Sequence, residues 1–330
     1  MENVNSIHLK LGKHFSDPLP LSEYSEKYRD LIPVKVLRKS KFCVCLAYSR
    51  REEKYYAMKN FPYQDQDLHP CFLNTLPFLN FSHPNLIKVL HANPKKECPL
   101  QDRSSLSSYV VMELASNGDL ADLILQNKFP KDDMLIRTYF HQLIEAIDYL
   151  HSRGYAHTDI KPENILIGEE YRLKLADFDN CFKLDDDLSK LHSGSRNYRA
   201  PEIIAKECRD PRMADIYSAG IVLFVMKFHC FPYQEDKMTK GCDLTKLLNS
   251  GSPLFWKAFE KCSGASCMNL CDEFKSLLQS MVMFNPDLRA TIKDIKKNKW
   301  YQGPTLSQKE VASIMISMDH ISNLISKGSK

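Results

Sequence analysis

The chain has 330 residues, of which 43% are hydrophobic and 26% are charged, as is usual for a globular protein. Its 45 Lys and Arg residues against 41 Asp and Glu give a net charge of +4, too small to predict a nucleic-acid or membrane partner. The first residues lack the apolar core of a signal peptide, and the longest apolar run, residues 219–226, is too short to span a bilayer. With 11 cysteines and no export signal, we expect free thiols and a cytoplasmic location.

The first third of the chain predicts short strands. Segments rich in β-branched and aromatic residues are separated by polar turns, and they read PVKVLRK, FCVCLAYS, KYYAMKNF, NLIKVLHA and SYVVMEL. Residues 71–81 have the composition of a helix, although Pro77 disfavours a continuous one. The polar residues 94–108 predict an exposed loop.

After Gly118 the pattern changes to helices. Apolar residues recur at helical spacing from Leu135 to Leu150, and Gly154 follows as a stop signal. Residues 214–226 are apolar on almost every side, which predicts a buried helix. A strand-rich part followed by a helical part predicts an α+β protein of two lobes with a ligand cleft where they join.

Four motifs occur in a fixed order along the chain. YYAMKNF puts Lys59 in a strand, HTDIKPENIL occupies residues 157–166, ADFD follows at 176–179, and SGSRNYRAPE ends at Glu202. Together they resemble the signatures of eukaryotic protein kinases, and the resemblance covers about residues 28–301. It implies a bilobal protein kinase fold with a small strand-rich lobe, a larger helical lobe and the ATP cleft between them.

The resemblance also implies a domain organisation. Residues 1–27 form an N-terminal extension, and residues 28–301 form the kinase domain. Within that domain the N-lobe covers about 28–114 and the C-lobe about 118–301, and residues 302–330 form a helical tail.

The resemblance assigns the chemistry of phosphoryl transfer to specific side chains. Asp159 accepts the proton of the substrate hydroxyl or orients that hydroxyl, and Lys161 approaches the γ-phosphate, as in Ser/Thr kinases. Asn164 and Asp177 supply the hard oxygen ligands that Mg²⁺ prefers. These expectations make ATP and Mg²⁺ the cofactors.

The remaining binding residues implied by the resemblance belong to the strand-rich part. Lys59 binds the α- and β-phosphates of ATP, Met112 is the gatekeeper, and the hinge from Glu113 to Ala115 meets adenine.

Other matches are expected to be structural. His157 packs against Phe178 rather than acting as a base, and Asp215 anchors the catalytic loop through its backbone. Glu202 pairs with Arg289 in an ion pair that matters for the fold more than for the chemistry.

The sequence departs from the family where ATP phosphates are held. No glycine occurs between Gly12 and Gly118, and Arg38, Ser40 and Cys43 stand where the glycine-rich loop has glycines. Without glycine, a backbone conformation with positive φ at these positions is costly. The basic side chains nearby are either cations that partly compensate in binding the phosphates or simply part of a solvated basic turn. Asn74 takes the place of the helix Glu that orients Lys59.

Two further departures surround the catalytic motifs. Thr158 replaces the Arg that often pairs with an activation-loop phosphate, and Ser189, Ser193 and Ser195 are candidate phosphorylation sites. Asp179 replaces the Gly of the metal motif, and its carboxylate has three interpretations: facing solvent, which we favour, adding charge near Mg²⁺, or repelling ATP. Ser195 is expected in the substrate-binding loop.

These residues predict a Ser/Thr protein kinase of modest activity, and the lost residues keep a pseudokinase scaffold as the alternative. HPNL and DIKPENIL resemble the calcium/calmodulin-dependent kinase group. The expected partner is a protein substrate with basic residues before the phosphorylated position, because Glu163 and Asp119 match acidic positions in related kinases. Two solvated acids are the competing interpretation.

The tail predicts an amphipathic helix. Ser307 and Glu310 form a capping-box pattern ahead of an apolar stripe that contains Val311, Ile314, Met315, Met318, Ile321, Leu324 and Ile325. We expect this helix to pack on the helical lobe of its own chain, with binding to a partner as the alternative.

Overall fold

A computed structural model describes residues 28, 30–39, 41–63, 67–97, 106–191, 194–232, 244–267 and 270–328. They form two compact units, one of the residues up to 83 together with 87–115, the other of 84–86 together with the residues from 116 onward. The expected N-terminal extension, residues 1–27, lies outside the described residues. Within the described ranges, no helix is long and apolar enough to cross a membrane.

The first unit is built on a five-stranded antiparallel sheet with the strand order β1-β2-β3-β5-β4. Its strands are β1 (Leu31–Lys39), β2 (Cys43–Ser49), β3 (Lys54–Pro62), β4 (Val89–Glu97) and β5 (Leu106–Met112). The polar stretch at 94–108 is shorter as a loop than the sequence predicts, because β4 and β5 remain paired as far as Glu97 and Leu106. Backbone groups pair across a ladder whatever the polarity of their side chains.

The register between β2 and β3 shows which residues share a face of the sheet with Lys59. Lys59 lies opposite Val44, whereas Met58 lies opposite Cys45 on the other face. That other face carries a core cluster in which Tyr28 and Leu31 pack with Tyr56, Met58, Tyr109 and Val111. Strand alternation therefore fixes the face on which the Lys59 side chain emerges.

A short helix follows β3. Helix α1 (Pro70–Thr75) begins at His69, whose ring nitrogen Nδ1 accepts from the Cys71 amide at 3.1 Å. It continues as a 3₁₀ turn over Leu76–Asn80, which contains Pro77. The missing N–H of Pro77 cannot continue α-helical hydrogen bonding, which is why the expected helix over 71–81 divides here.

The second unit is helical. Its helices are α2 (Leu120–Leu125), α3 (Asp133–Ser152), α4 (Pro201–Ala205), α5 (Pro211–Phe228), α6 (Leu244–Asn249), α7 (Leu254–Ser263), α8 (Asp272–Met281), α9 (Ile292–Lys297) and α10 (Gln308–Gly328). Every α5 residue from Ala214 to Met226 is buried, as its apolar sequence predicts. The strand-rich first unit and the helical second unit make the α+β organisation that the sequence predicts.

In the second unit, short strands hold in place the catalytic segment, defined as residues 157–164. β6 (Tyr155–Ala156) pairs with β9 (Phe182–Lys183), and β7 (Ile165–Ile167) pairs with β8 (Leu173–Leu175). Residues 157–164 of the HTDIKPENIL motif thus lie between β6 and β7, its last two residues belong to β7, and Asp177 lies between β8 and β9. The two pairs bring both motifs to one end of the unit.

The tail helix α10 docks on its own unit. Ser307 and Glu310 form the expected reciprocal cap, and Val311 and Met315 are buried. Asp319 accepts from the Tyr171 hydroxyl at 2.9 Å and pairs with Lys128 at 3.2 Å. The side chains of residues 321–328, which carry the end of the apolar stripe, lie outside the description.

A buried ion pair ties the end of the activation segment to the helical core. Arg289 donates to both carboxylate oxygens of Glu202, at 2.6 and 2.9 Å, and its guanidinium also donates to the carbonyls of Met213 and Met283. Both side chains are almost inaccessible to solvent. The expected Glu202–Arg289 pair is confirmed, and the Arg289 guanidinium has two backbone carbonyls as further partners.

We expect Arg289→Met to lower the free energy of unfolding by about 3–5 kcal/mol, because it leaves the Glu202 carboxylate buried without a counter-charge. Arg212→Met is the matched control, since Arg212 pairs with Asp210 at 2.8 Å but is half exposed; about 0–1 kcal/mol is expected there. Urea unfolding of the two variants measures both values. Equal losses would contradict the stabilising role given to the buried pair.

Candidate active site

The backbone of the catalytic segment is fixed by Asp215 of α5. This fully buried carboxylate accepts from the backbone amides of His157 and Thr158, at 2.8 and 2.7 Å. It also lies 2.8 Å from Nε2 of His151, on α3. The anchoring role expected for Asp215 is confirmed, and the bonds hold Thr158 in the left-handed region at φ 61.

His157 is a structural residue, as expected. Its Nδ1 accepts from the amide of Asp159 at 3.3 Å, so the ring proton lies on Nε2, which donates to the Ala176 carbonyl at 2.9 Å. The ring contacts Phe178 edge to face at 6.2 Å between centroids. Both ring nitrogens are therefore engaged, and the imidazole joins the HTD segment to the segment that carries Asp177.

Four hydrogen bonds hold the Asp159 carboxylate. Its Oδ1 accepts from the amide and the hydroxyl of Ser195, at 2.7 and 2.9 Å. Its Oδ2 accepts from Lys161 Nζ at 2.8 Å and from Asn164 Nδ2 at 3.1 Å. The side chain is buried, so these donors and not water set its orientation. Such an arrangement suits a carboxylate that must orient a hydroxyl.

Lys161 bridges two parts of the site. Its ammonium donates to Asp159 at 2.8 Å and to the Ser195 hydroxyl at 2.6 Å. Ser195 comes from the activation segment, 36 residues beyond Asp159 in the chain. The sequence placed Ser195 in the substrate-binding loop but gave no sign that it contacts the Asp159 carboxylate, because a contact between two loops has no periodic pattern.

Asn164 is oriented by its amide nitrogen. Nδ2 donates to the backbone carbonyl of Asp159 at 2.9 Å as well as to its carboxylate. Both amide hydrogens are thereby used, and the Asn164 side-chain oxygen is directed away from these partners. That oxygen is a hard ligand of the type Mg²⁺ prefers.

Asp177 adopts a left-handed conformation, with φ 70 and ψ 72, ahead of a 3₁₀ turn over Phe178–Asn180. Phe178 is buried, as the contact with His157 requires. The unusual backbone at Asp177 is held by packing on its C-terminal side. Strained conformations of this kind are concentrated at functional sites.

The solvent-facing position favoured for Asp179 is wrong. Asp179 is buried, and it lies inside the 3₁₀ turn rather than in a left-handed conformation. The turn needs no positive φ at this position, so a residue with a Cβ fits where the family has Gly. The left-handed residue of the motif is Asp177 instead.

Carboxylates dominate the electrostatics of this region. Burial, followed by the charges of Asp215, Asp177, Asp179 and Asp159, raises the pKa of the Cys181 thiol well above its ordinary value. Four acids thus lie close enough to influence one thiol, and Lys161 supplies a counter-charge to one of them. This concentration of negative charge favours a bound cation.

The donor set fits a magnesium ion that arrives with a nucleotide. Within the described residues, no group of three or more His, Cys, Asp or Glu side chains has the geometry to hold a metal ion. Mg²⁺ is commonly held by one or two protein oxygens and completed by substrate phosphates and water. Asp177 and Asn164 would supply those two oxygens.

Lys59, in the first unit, is buried among aromatic rings. Its Nζ lies 5.4 Å from the ring centroids of Phe42 and Phe61. Phe42, from the turn between β1 and β2, packs on Phe61 at 4.7 Å and on His69 at 4.9 Å. The sequence did not predict that Phe42 would be a buried residue at the lysine.

The turn that should carry glycines keeps ordinary backbone conformations. No described residue from Arg38 to Cys43 has positive φ, and Ser40 lies outside the description. Glycine is therefore not required at the described positions of this turn. The basic side chains Arg38 and Lys41 are exposed, which agrees with a solvated turn.

Asn74, the expected substitute for the helix Glu, is an exposed residue of α1. An amide there carries no charge to pair with the ammonium of Lys59. Its role in orienting Lys59 stays a prediction.

The segment expected to meet adenine follows β5. Met112 is the last residue of that strand. The backbone amide of Glu113 donates to the Lys88 carbonyl at 3.0 Å, and the Glu113 carboxylate accepts from the Lys88 amide at 2.8 Å. The Ala115 backbone makes no hydrogen bond within the described part of the chain. Its N–H and C=O are available to an adenine edge.

Thr158 takes part in a contact that a charged Arg would not make. Its hydroxyl donates to the Asn180 carbonyl at 2.6 Å and thereby joins the catalytic segment to the turn after Asp177. Ser189 donates to Asp187 at 2.7 Å in a short local turn, and Ser193 lies outside the described residues. Thr158 thus makes a neutral hydrogen bond where the Arg of the family would contact an activation-loop phosphate.

The two acids expected to meet a basic substrate have different surroundings. Asp119 caps α2 by accepting from the Asp122 amide at 2.9 Å, and Glu163 is half-buried in the 3₁₀ turn Pro162–Asn164. A capping role therefore accounts for part of what Asp119 does.

Comparison with known proteins agrees with this geometry. The family described as the protein kinase domain matches residues 40–301. A carbon catabolite-derepressing protein kinase of Secale cereale is 31% identical over 231 residues, which are 68% of this chain and 40% of that protein. CBL-interacting protein kinase 26 of Oryza sativa subsp. japonica is 34% identical over 224 residues, 67% of this chain and 40% of that protein.

CBL-interacting serine/threonine-protein kinase 5 of Arabidopsis thaliana is 32% identical over 222 residues, which are 66% of this chain and 44% of that protein. The chain therefore matches about two fifths of the length of these curated relatives. The family match extends over most of the chain and includes the four motifs that carry the resemblance. This chain is a member of the protein kinase domain family.

Proposed function

We propose that the chain is a Ser/Thr protein kinase that transfers the γ-phosphate of ATP to protein hydroxyls with Mg²⁺. The observation that carries the proposal is the network in which Ser195, Lys161 and Asn164 hold the Asp159 carboxylate. Phosphoryl transfer depends on positioning and charge stabilisation, and this network supplies both. The kinase names of the relatives, one of them a serine/threonine kinase, support it.

In this proposal each residue of the second unit has one task. Asp159 accepts the hydrogen of the attacking hydroxyl, and Lys161, already oriented by Ser195, stabilises negative charge on the transferred phosphoryl group. Asn164 and Asp177 would hold Mg²⁺, which when bound neutralises charge on the nucleotide phosphates. Lys59 would bind the α- and β-phosphates, and the backbone from Glu113 to Ala115 would bind adenine.

The losses relative to the family predict a modest rate rather than none. An amide at Asn74 in place of a carboxylate weakens a hydrogen bond to Lys59 by about 1.5 kcal/mol, which corresponds to roughly a tenfold slower transfer. The side chains assigned to the chemistry itself are all present. If transfer is absent, the pseudokinase interpretation takes its place.

The same proposal covers the boundaries and setting of the domain. Residues 28–301 form the kinase domain, and residues 302–330 form a tail that binds within its own chain through α10. The free cysteines suit a reducing cytoplasm.

We expect Asp159→Asn to abolish phosphotransfer and leave nucleotide binding nearly intact, because the carboxylate acts on the hydroxyl and not on ATP. Incorporation of labelled phosphate into a basic protein substrate measures transfer, and a thermal shift with ATP, with and without Mg²⁺, measures binding. Asp272→Asn, the same change at a fully exposed carboxylate, is the control. Equal incorporation by Asp159→Asn and the wild type would disprove the enzyme assignment.

We expect Ser195→Ala to lower kcat about ten- to a hundredfold, because a hydrogen bond to a charged group contributes about 1.5–3 kcal/mol. Ser195→Thr keeps the hydroxyl that contacts Asp159 and Lys161 and should retain most of the activity. Steady-state kinetics of the two variants with one peptide substrate make the comparison. A loss of the same size in both would show that the hydroxyl is not the group that matters.

We propose that the protein substrate carries basic residues before the phosphorylated Ser or Thr. Paired peptides with Arg or Ala at those positions test the preference, and we expect the Arg peptide to have the lower KM. Glu163→Gln and Asp119→Asn should each reduce that difference, since they remove charge while Asn still caps α2. A wild-type enzyme that treats the two peptides alike would end this proposal but not the kinase assignment.

A further inference from the structure

Two cysteines of β2 lie side by side on one face of the sheet. The sulfur atoms of Cys43 and Cys45 are 3.6 Å apart. Residues two apart on a strand point to the same side, so the strand itself brings the thiols together. Cys43 is half-buried, whereas Cys45 is fully buried and accepts from the Asn60 side-chain amide at 3.7 Å.

We propose that Cys43 and Cys45 form a reversible intrastrand disulfide on exposure to a peroxide. The half-buried Cys43 is the sulfur that meets the oxidant, and the buried Cys45 resolves it. Reactive cysteines are found in partly exposed surroundings, and Cys43 is half-buried at the first position of β2. A sulfenic acid next to a second thiol condenses readily to a disulfide.

The chemistry balances with hydrogen peroxide as the oxidant. The Cys43 thiolate attacks one peroxide oxygen, the O–O bond breaks, and hydroxide leaves to give a sulfenic acid at Cys43. The Cys45 thiolate then attacks the Cys43 sulfur, the S–S bond forms, and the sulfenic oxygen leaves as hydroxide. The hydroxides take up the two thiol protons, so that two thiols and one peroxide give one disulfide and two waters.

The local backbone permits the closure at the cost of strain. Two residues of extended strand cover about 6.6–6.8 Å, at the upper limit of the Cα separation that a disulfide allows. Cys43 is the first residue of β2, and the ladder to β1 is irregular beside it, since the register shifts between Val36 and Arg38. A strained disulfide is more easily reduced, which is the property of a reversible, regulatory bond.

The position of the pair gives the bond a consequence for nucleotide binding, and this step rests on the proposed function. Val44 lies between the two cysteines and is the cross-strand partner of Lys59. Phe42, which covers the Lys59 side chain, immediately precedes Cys43. A disulfide that shortens the strand across Val44 would therefore shift Val44 and Phe42, the residues that lie against Lys59, which is assigned to the ATP phosphates.

The test for the bond is peptide mapping of the full chain after peroxide treatment. Trypsin cuts after Lys41 and Arg50, so one peptide, FCVCLAYSR, holds both cysteines. After alkylation without reduction, we expect peroxide to give this peptide without alkyl groups and lighter by two hydrogen atoms. Treatment with dithiothreitol before alkylation should restore the doubly alkylated peptide.

Substitutions of single cysteines test whether Cys43 and Cys45, and not other thiols, form the disulfide. Cys45→Ala should leave a Cys43 sulfenic acid that reacts with dimedone, and Cys43→Ser should show neither product at Cys45. Cys71→Ser, which removes another buried thiol of the same unit, should leave the disulfide intact. Thermal unfolding of each variant shows whether it is folded. A wild-type peptide that stays doubly alkylated, or Cys43 joined to any other cysteine, would overturn the proposal.

The effect on nucleotide binding is measured separately from the formation of the disulfide. We expect the ATP-dependent thermal shift to be present in the reduced protein, lost in the oxidised protein and restored by dithiothreitol. A shift absent from the reduced protein would count against the proposed function while the disulfide stands. A shift equal in both forms would overturn the consequence proposed for Lys59.

Discussion

The geometry of the second unit depends on one carboxylate that touches no substrate. Asp215 is buried in α5, and its two oxygens accept from two consecutive backbone amides, those of His157 and Thr158. Thr158 is β-branched and has φ 61, which is unfavourable for such a side chain. The hydrogen bonds from Asp215 offset that strain and thereby fix the backbone from which Asp159 projects. Without this anchor the four donors around Asp159 would have no fixed acceptor to meet.

The charges at the site are arranged so that a cation completes them. Asp159 has four hydrogen bonds, one of them from the ammonium of Lys161, whereas Asp177 and Asp179 add further negative charge that raises the pKa of the Cys181 thiol. Charge concentrated in a buried place is costly unless it is paired. In the proposed function, a magnesium ion that arrives with ATP would lower this cost, and binding of the metal with its nucleotide would then stabilise the folded site.

The sequence predicted the fold and the residues of the second unit because their signals are local. Helical periodicity marked Leu135–Leu150, the buried helix α5 showed as an apolar run, and the HTDIKPENIL motif named Asp159 and Asn164. What it missed are contacts between segments distant in the chain. Ser195 meets Asp159 across 36 residues, and the burial of Asp179 follows from the 3₁₀ turn that packs around it. No spacing rule encodes either fact, since both depend on how two loops meet.

The first unit shows how the absence of glycines can be compatible with the fold. Glycine is needed where backbone has positive φ or must come very close to a ligand. No described residue of the β1–β2 turn has positive φ, so the first condition does not arise at those positions, and Phe42 packs inward against Phe61 and His69. The turn is therefore secured by aromatic packing rather than by backbone freedom. Phe42 directly precedes β2, and Val44 within β2 lies opposite Lys59, so a change in β2 would reach both Phe42 and Lys59.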